Sequence, residues 1–112
     1  MKKIEAVVRI EKLEEVVDSL ERIGYPGMMV THIEGHGRQK GITGQFRGRE
    51  YKVNFIPKVR LEIVVKDSDA DKVTVAISKA AKTGSIGDGK IFIYNIESAI
   101  RIRTGEKGDI AL

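Results

Sequence analysis

At 112 residues and 12.4 kDa the chain has the length of one domain, and the absence of cysteine excludes a disulfide framework, a thiolate metal site and a cysteine nucleophile. A reducing, cytoplasmic setting is expected: the apolar runs are too short to span a bilayer, and Met1-Lys2-Lys3-Ile4-Glu5 meets an acid too early for a signal peptide. A net charge of +4 with a pI of about 9.4 fits an anionic ligand or a nucleic acid as partner.

Residues 4–10 read as a strand, with Ile4, Ala6, Val8 and Ile10 on one face and Glu5, Val7 and Arg9 on the other. A helix follows, since Leu13, Val16, Val17, Leu20 and Ile23 recur at helical spacing while Glu11, Glu14, Glu15, Asp18 and Glu21 fall mostly outside that stripe. Gly24 ends the helix, and Pro26-Gly27 turns the chain into a second strand over 28–33, which Gly35-His36-Gly37 breaks. From 37 to 57 no period holds: glycines alternate with Arg38, Lys40, Arg47, Arg49 and Lys52, against one acid, Glu50. A loop of about twenty residues is expected there, and loops that long in small domains are usually functional. Tyr51 sits in a run too polar for a core tyrosine, so its hydroxyl is expected to be exposed.

Strict alternation returns over 58–65, with Val59, Leu61, Ile63 and Val65 sharing a face. Ser68, with Asp71 three residues later, reads as the cap of a second helix whose stripe is Val73, Ala76, Ile77, Ala80 and Ala81. A glycine loop over 84–90 leads into a strand over 91–96, and the tail carries a second basic glycine segment, Arg101 to Gly108. The order strand-helix-strand, long loop, strand-helix-strand predicts a single α+β domain over 1–112. It is the ferredoxin-like βαββαβ arrangement, an antiparallel sheet with both helices on one face. The other face carries Val7, Met29, Ile33 and Val64 and is expected to be covered by self-association; a trimer with three inward-facing sheets would do it.

The stretch Thr83-Gly84-Ser85-Ile86-Gly87-Asp88-Gly89-Lys90-Ile91-Phe92 holds the chemistry. Three glycines offer bare backbone N–H groups and Lys90 an ammonium, which suits a polyphosphate. The spacing from Gly84 begins like a P-loop, but Ile91 stands where the magnesium-binding hydroxyl belongs and a strand follows instead of a helix. A phosphate cradle that is not a P-loop NTPase fits this pattern; so does a plain glycine turn with a solvated lysine. Arg101 and Arg103 could add guanidinium forks from alternate positions of one extended face, with Arg38 and Lys58 as further cations. Catalytic arrangements are not assembled: His32 and His36 lie four apart on a strand, no serine sits in a nucleophile elbow, and no paired carboxylates flank the glycines. No enzymatic activity is therefore expected. The strand over 58–65 lacks the aromatics of an RNA-binding sheet, so no nucleic acid is expected either.

Four segments in the right order carry a resemblance: Gly35-His36-Gly37-Arg38-Gln39-Lys40-Gly41, Tyr51-Lys52-Val53-Asn54-Phe55-Ile56-Pro57-Lys58, the 83–92 loop, and Arg101-Ile102-Arg103-Thr104-Gly105-Glu106. Over its whole length the chain resembles the PII signal-transduction proteins, the GlnB/GlnK nitrogen regulators. The resemblance implies a homotrimer with nucleotide sites in the clefts between subunits, where ATP and ADP compete. Gly87, Asp88, Gly89, Lys90, Arg101, Arg103 and Arg38 would hold the phosphates, and Met29, Glu62 and Val64 would line the ribose and adenine end. Gly37 and Gln39 belong to the same site, Gln39 as the ligand of Mg²⁺. The effector 2-oxoglutarate would complete the metal's shell and meet Lys58 and Arg9, with Gly37, Gly41 and Gly87 closing over it.

By the same resemblance residues 37–55 form the T-loop, a segment whose order depends on the ligand and which docks on target proteins. The implied target is a membrane ammonium transporter, reached by Arg47, so that a cytoplasmic protein meets the membrane only through that partner. Tyr51 matches a residue that some members uridylylate, which adds a uridylyltransferase or nitrogen-metabolism enzymes to the implied partners. The alternative within the fold is an adenylate-only sensor with no response to 2-oxoglutarate. Members usually carry threonine where this chain has Met29.

Overall fold

The computed structural model of the chain describes the backbone of residues 1–36, 43–46, 49–52 and 55–112, and the side chains of residues 1–34 and 56–112. The elements run β1 (Lys2–Arg9), α1 (Leu13–Arg22), β2 (Met29–His36), β3 (Thr43–Phe46), β4 (Arg49–Lys52), β5 (Phe55–Val65), α2 (Ala70–Ala81) and β6 (Lys90–Asn95). Four strands form one antiparallel sheet in the order β2-β5-β1-β6, and β3 pairs with β4 in a separate hairpin. The two strands joined through α1, β1 and β2, have β5 between them, and the two joined through α2, β5 and β6, have β1 between them, which is the split arrangement of the ferredoxin-like α+β fold.

The period-2 pattern decides which face is buried. Ile4, Ala6 and Val8 of β1 and Val59, Leu61, Ile63 and Val65 of β5 are all buried, and they form one cluster with Val16 and Leu20 of α1 and Val73, Ile77 and Ala81 of α2. Both helices therefore lie on the same side of the sheet, and the hydroxyl of Ser19 donates to the Ala76 carbonyl between them at 3.4 Å. Truncating a fully buried member such as Leu20 or Leu61 to alanine costs about 3 kcal/mol, because transfer energy and a cavity are lost together.

Helix α1 stops where its glycine says it should. Gly24 has φ +92°, its N–H donates to the Glu21 carbonyl at 3.0 Å, and the Tyr25 N–H reaches back to Leu20 at 2.9 Å. The start of α2 departs from the expected serine cap. Ser68 lies inside a 3-10 turn, Asp67–Asp69, and no side chain caps the helix. The carboxylate beside the helix start is otherwise engaged, since Asp69 accepts the phenol of Tyr25 and ties the turn after α1 to α2.

The segment expected to be an aperiodic loop holds more structure than its composition suggests. Strand β2 runs on through Gly35 and His36, which pair with Ile56 and Phe55, so Gly35-His36 does not break it. Backbone hydrogen bonds do not need a side chain, and a glycine inside a paired strand leaves no trace in a hydropathy period. β3 and β4 were hidden for the same reason: Gly44 interrupts one and the other is almost wholly polar. They are two residues apart in sequence, a separation typical of hairpins.

Candidate anion-binding site

Arg9, the last residue of β1, pairs directly with Lys58 of β5. Both fall on the parity opposite the core, and both side chains reach toward the loop between α2 and β6. The Arg9 Nη2 donates to the Ile86 carbonyl at 2.9 Å and its Nε to the Asp88 carboxylate at 3.1 Å. The Lys58 ammonium donates to the Gly87 carbonyl. Lys58 is thereby only 7% exposed, although it lies on the open face of the sheet. Burial pushes its pKa down, the neighbouring Arg9 charge pushes it further, and Glu11 and Asp88 partly oppose them.

Asp88 is the loop's internal anchor. Its carboxylate accepts the Thr83 hydroxyl, the Thr83 N–H at 2.8 Å, the Gly84 N–H at 2.9 Å and Arg9. Those bonds, the Thr83 hydroxyl foremost, hold the Asp88 carboxyl well below the usual carboxylate range. The Thr83 oxygen in turn accepts the Ser85 N–H at 3.2 Å. Further along, Gly89 crosses the backbone of β1: it has φ +98°, and a Cβ there would sit 1.7 Å from the Val7 carbonyl oxygen. Only glycine fits that crossing.

With these groups accounted for, among the described residues no acceptor takes the N–H of Gly87, Asp88 or Gly89. Lys90 follows at once, exposed at the head of β6. Successive bare amides with two left-handed glycines and an adjacent ammonium form an anion nest. Beside it, a pocket of about 300 Å³ opens between the last turn of α2 and the start of β6, lined by Ser78, Ala81, Lys82, Gly89, Lys90 and Ile91 among others.

The remaining expected residues fall in two other places. Met29 pairs with Glu62 across β2 and β5 on the open face, with Val64 two residues along. Met29 is 60% exposed, and Glu62 is ion-paired to Arg60 at 3.1 Å and to Lys3 at 3.5 Å. Tyr94 donates to Glu5 at 2.6 Å while the Lys3 ammonium lies 4.6 Å from its ring centre, so the open face carries a charge ladder beside its apolar residues.

Arg101 and Arg103 do not form the extended face expected of them. Residues 101–106 close into a turn, with the Gly105 N–H donating to the Arg101 carbonyl at 2.7 Å and Gly105 at φ +75°. The Arg101 guanidinium bonds Glu106 at 3.0 Å and the carbonyls of Ile110 and Leu112. Within this one chain it makes no hydrogen bond to the 84–90 loop among the described residues. The expected sites at Gly37, Arg38, Gln39, Gly41 and Arg47, and the side chain of Tyr51, lie outside the described residues.

Thr83 was missed as a site residue. Its position five residues before Asp88 in a glycine-rich stretch is a weak signal of an anchored turn, since an aspartate commonly binds nearby backbone N–H groups. The direct Arg9–Lys58 pairing was less legible, because strand register is not written in either segment alone.

A four-stranded ferredoxin-like sheet, with a glycine loop of bare amides held by the neighbouring cations Arg9 and Lys58, defines a small α+β domain with a candidate anion site. Residues 1–106 match the family Nitrogen regulatory protein P-II. The chain is 54% identical over 112 residues to the nitrogen regulatory protein P-II of Rhodospirillum rubrum, covering all of both chains. It is 54% identical to the nitrogen regulatory protein P-II 2 of Methanothermobacter thermautotrophicus, covering all of this chain and 97% of the other. It is 55% identical over 108 residues to that of Rhizobium meliloti, covering 96% of each. The chain belongs to the nitrogen regulatory protein P-II family. No helix among the described residues is long and apolar enough to cross a membrane.

Proposed function

We propose that this protein is a nitrogen-status sensor that binds ATP or ADP and 2-oxoglutarate and reports their levels to target proteins through residues 37–55. The observation that carries the reading is the row of N–H groups at Gly87, Asp88 and Gly89 that find no acceptor among the described residues, beside Lys90, a donor set suited to phosphate. Phosphates bind those amides and the Lys90 ammonium, with Arg38, Arg101 and Arg103 as further cations. The base and ribose lie toward Met29, Glu62 and Val64. Within one chain the Arg101 guanidinium bonds Glu106 and the carbonyls of Ile110 and Leu112 and, among the described residues, makes no hydrogen bond to the 84–90 loop; a homotrimer would bring it to the phosphates from a neighbouring subunit.

The dicarboxylate 2-oxoglutarate is recognised by Lys58 and Arg9, a pair of cations held side by side, the first buried and the second half-buried. Gly37, Gly41 and Gly87 enclose it. A Mg²⁺ ion on the Gln39 side-chain oxygen supplies charge neutralisation at the phosphates when bound, and that amide is a hard oxygen donor of the kind magnesium takes. The protein acts by binding, in the cytoplasm, and the segment carrying Arg47 contacts an ammonium transporter in one ligand state and withdraws in the other. Uridylylation of Tyr51 would add a second input.

Displacement of a fluorescent ADP analogue tests the phosphate assignment. ATP and ADP each compete it off the wild type, and Lys90→Ala weakens both by about tenfold or more, the scale of a charged hydrogen bond. A Lys90→Ala protein with unchanged ADP affinity would sink the assignment.

A further inference from the structure

We propose that Arg9, Lys58 and Thr83 are positioning residues of the phosphate cradle: by holding the carbonyls of Ile86 and Gly87 and the carboxylate of Asp88, they turn the N–H groups of residues 87–89 toward the anion. The inference rests on the nucleotide-binding reading above and adds to it a role for three side chains that need not touch the phosphate.

The geometry follows from the planarity of the peptide. No cis bond occurs among the described residues, so each N–H points opposite the carbonyl of the preceding residue. Arg9 Nη2 holds the Ile86 carbonyl at 2.9 Å, which directs the Gly87 N–H away from the cation pair. Lys58 holds the Gly87 carbonyl, which directs the Asp88 N–H away in the same manner. Freed from these partners, a glycine-rich stretch can flip either peptide, since Gly87 at φ +105° has little steric preference. A flipped peptide presents its carbonyl to the phosphate and turns attraction into repulsion.

Asp88 would otherwise be the worst residue to place in an anion site. Its carboxylate is withdrawn into its own loop by Thr83 and Gly84, and its charge is offset by Arg9. Thr83 supplies two of those donors, and its hydroxyl oxygen also accepts the Ser85 N–H. The last unit is fixed by packing, since Gly89 lies against the Val7 carbonyl. The three amides are thus set before any ligand arrives, which spares binding the cost of ordering them.

Thr83→Val removes the hydroxyl at constant shape, Thr83→Ser restores it, and Lys58→Met removes the strut on Gly87. The probes are ADP and inorganic tripolyphosphate, neither of which carries a dicarboxylate. Thr83→Val and Lys58→Met are expected to weaken both by about five- to tenfold, and Thr83→Ser to recover the wild-type value within about twofold. In the ligand-free protein, amide exchange over 84–89 speeds up in Thr83→Val while β5 and α1 keep their protection. Wild-type affinity in Thr83→Val, or a serine variant no better than valine, overturns the proposal. If the wild type binds neither probe, the nucleotide reading fails, and exchange alone decides the clamp: faster exchange upholds it and unchanged exchange refutes it.

Discussion

Arg9 and Lys58 stand opposite each other on β1 and β5, and both spend their charge on the loop before β6. Two like charges at adjacent positions repel, and here burial adds to the cost for Lys58. On the proposed reading a dicarboxylate offsets that repulsion, because a single anion neutralises both charges.

Lys58→Ala is expected to abolish 2-oxoglutarate binding while weakening ATP only by the several-fold attributed above to the Gly87 strut. Calorimetric titration of each ligand separates the two effects. Retention of 2-oxoglutarate by the variant would remove Lys58 from that site.

The pH dependence has a definite sign. Lys58 in the folded protein has its pKa below the ordinary lysine value of about 10.4. Its charged form is therefore disfavoured by folding, and that small destabilisation is relieved as pH rises through the folded value. A bound dicarboxylate favours the ammonium and pulls the pKa back up. Affinity for 2-oxoglutarate should accordingly fall as pH rises through the lowered pKa, with proton uptake on binding in that window. Titrations in buffers of different ionisation enthalpy measure the uptake directly, and its absence across the alkaline range would count against Lys58 as the ligand's partner. Asp88 runs the other way: its contribution is present above the unfolded carboxylate value of about 3.9 and is lost only as pH falls well below it.

Gly89→Ala should damage the site out of proportion to its size. The added carbon meets the Val7 carbonyl at 1.7 Å in a left-handed conformation, so the loop must lift off β1. We expect a loss of about 2 kcal/mol in stability and of most nucleotide affinity. Gly84→Ala is the control: it shares the positive φ but has open space around the new carbon, so it should cost less. Equal melting temperatures for the two variants would contradict the close crossing.

Arg47→Ala should leave ATP, ADP and 2-oxoglutarate binding unchanged and remove inhibition of ammonium transport in membrane vesicles. A variant that inhibits as well as the wild type would mean that a different part of residues 37–55 makes the contact.

The core was readable because period and burial coincide. Ile4, Ala6, Val8 and Val59, Leu61, Ile63, Val65 recur at every second position and are all buried, and Leu13 to Ile23 keep helical spacing, so fold class followed. Reading failed where glycine or long-range pairing intervened. Gly35 and Gly44 concealed paired backbone, and Ser68 resembled a cap because its neighbours could not be seen folding into a 3-10 turn. Arg101 and Arg103 looked like alternating strand residues, but the left-handed Gly105 closes them into a turn. That the glycine loop offers bare amides beside a lysine was legible from composition. That Asp88 serves the loop itself depends on Thr83 and Arg9 meeting it in space, which no local pattern encodes.

The most direct test is a calorimetric titration of 2-oxoglutarate into the wild-type protein, with and without saturating Mg-ATP. A sensor of both ligands binds 2-oxoglutarate when Mg-ATP is present and not, or far more weakly, when it is absent. Binding of ATP with no response to 2-oxoglutarate under either condition would contradict the account and leave an adenylate sensor built on the same fold.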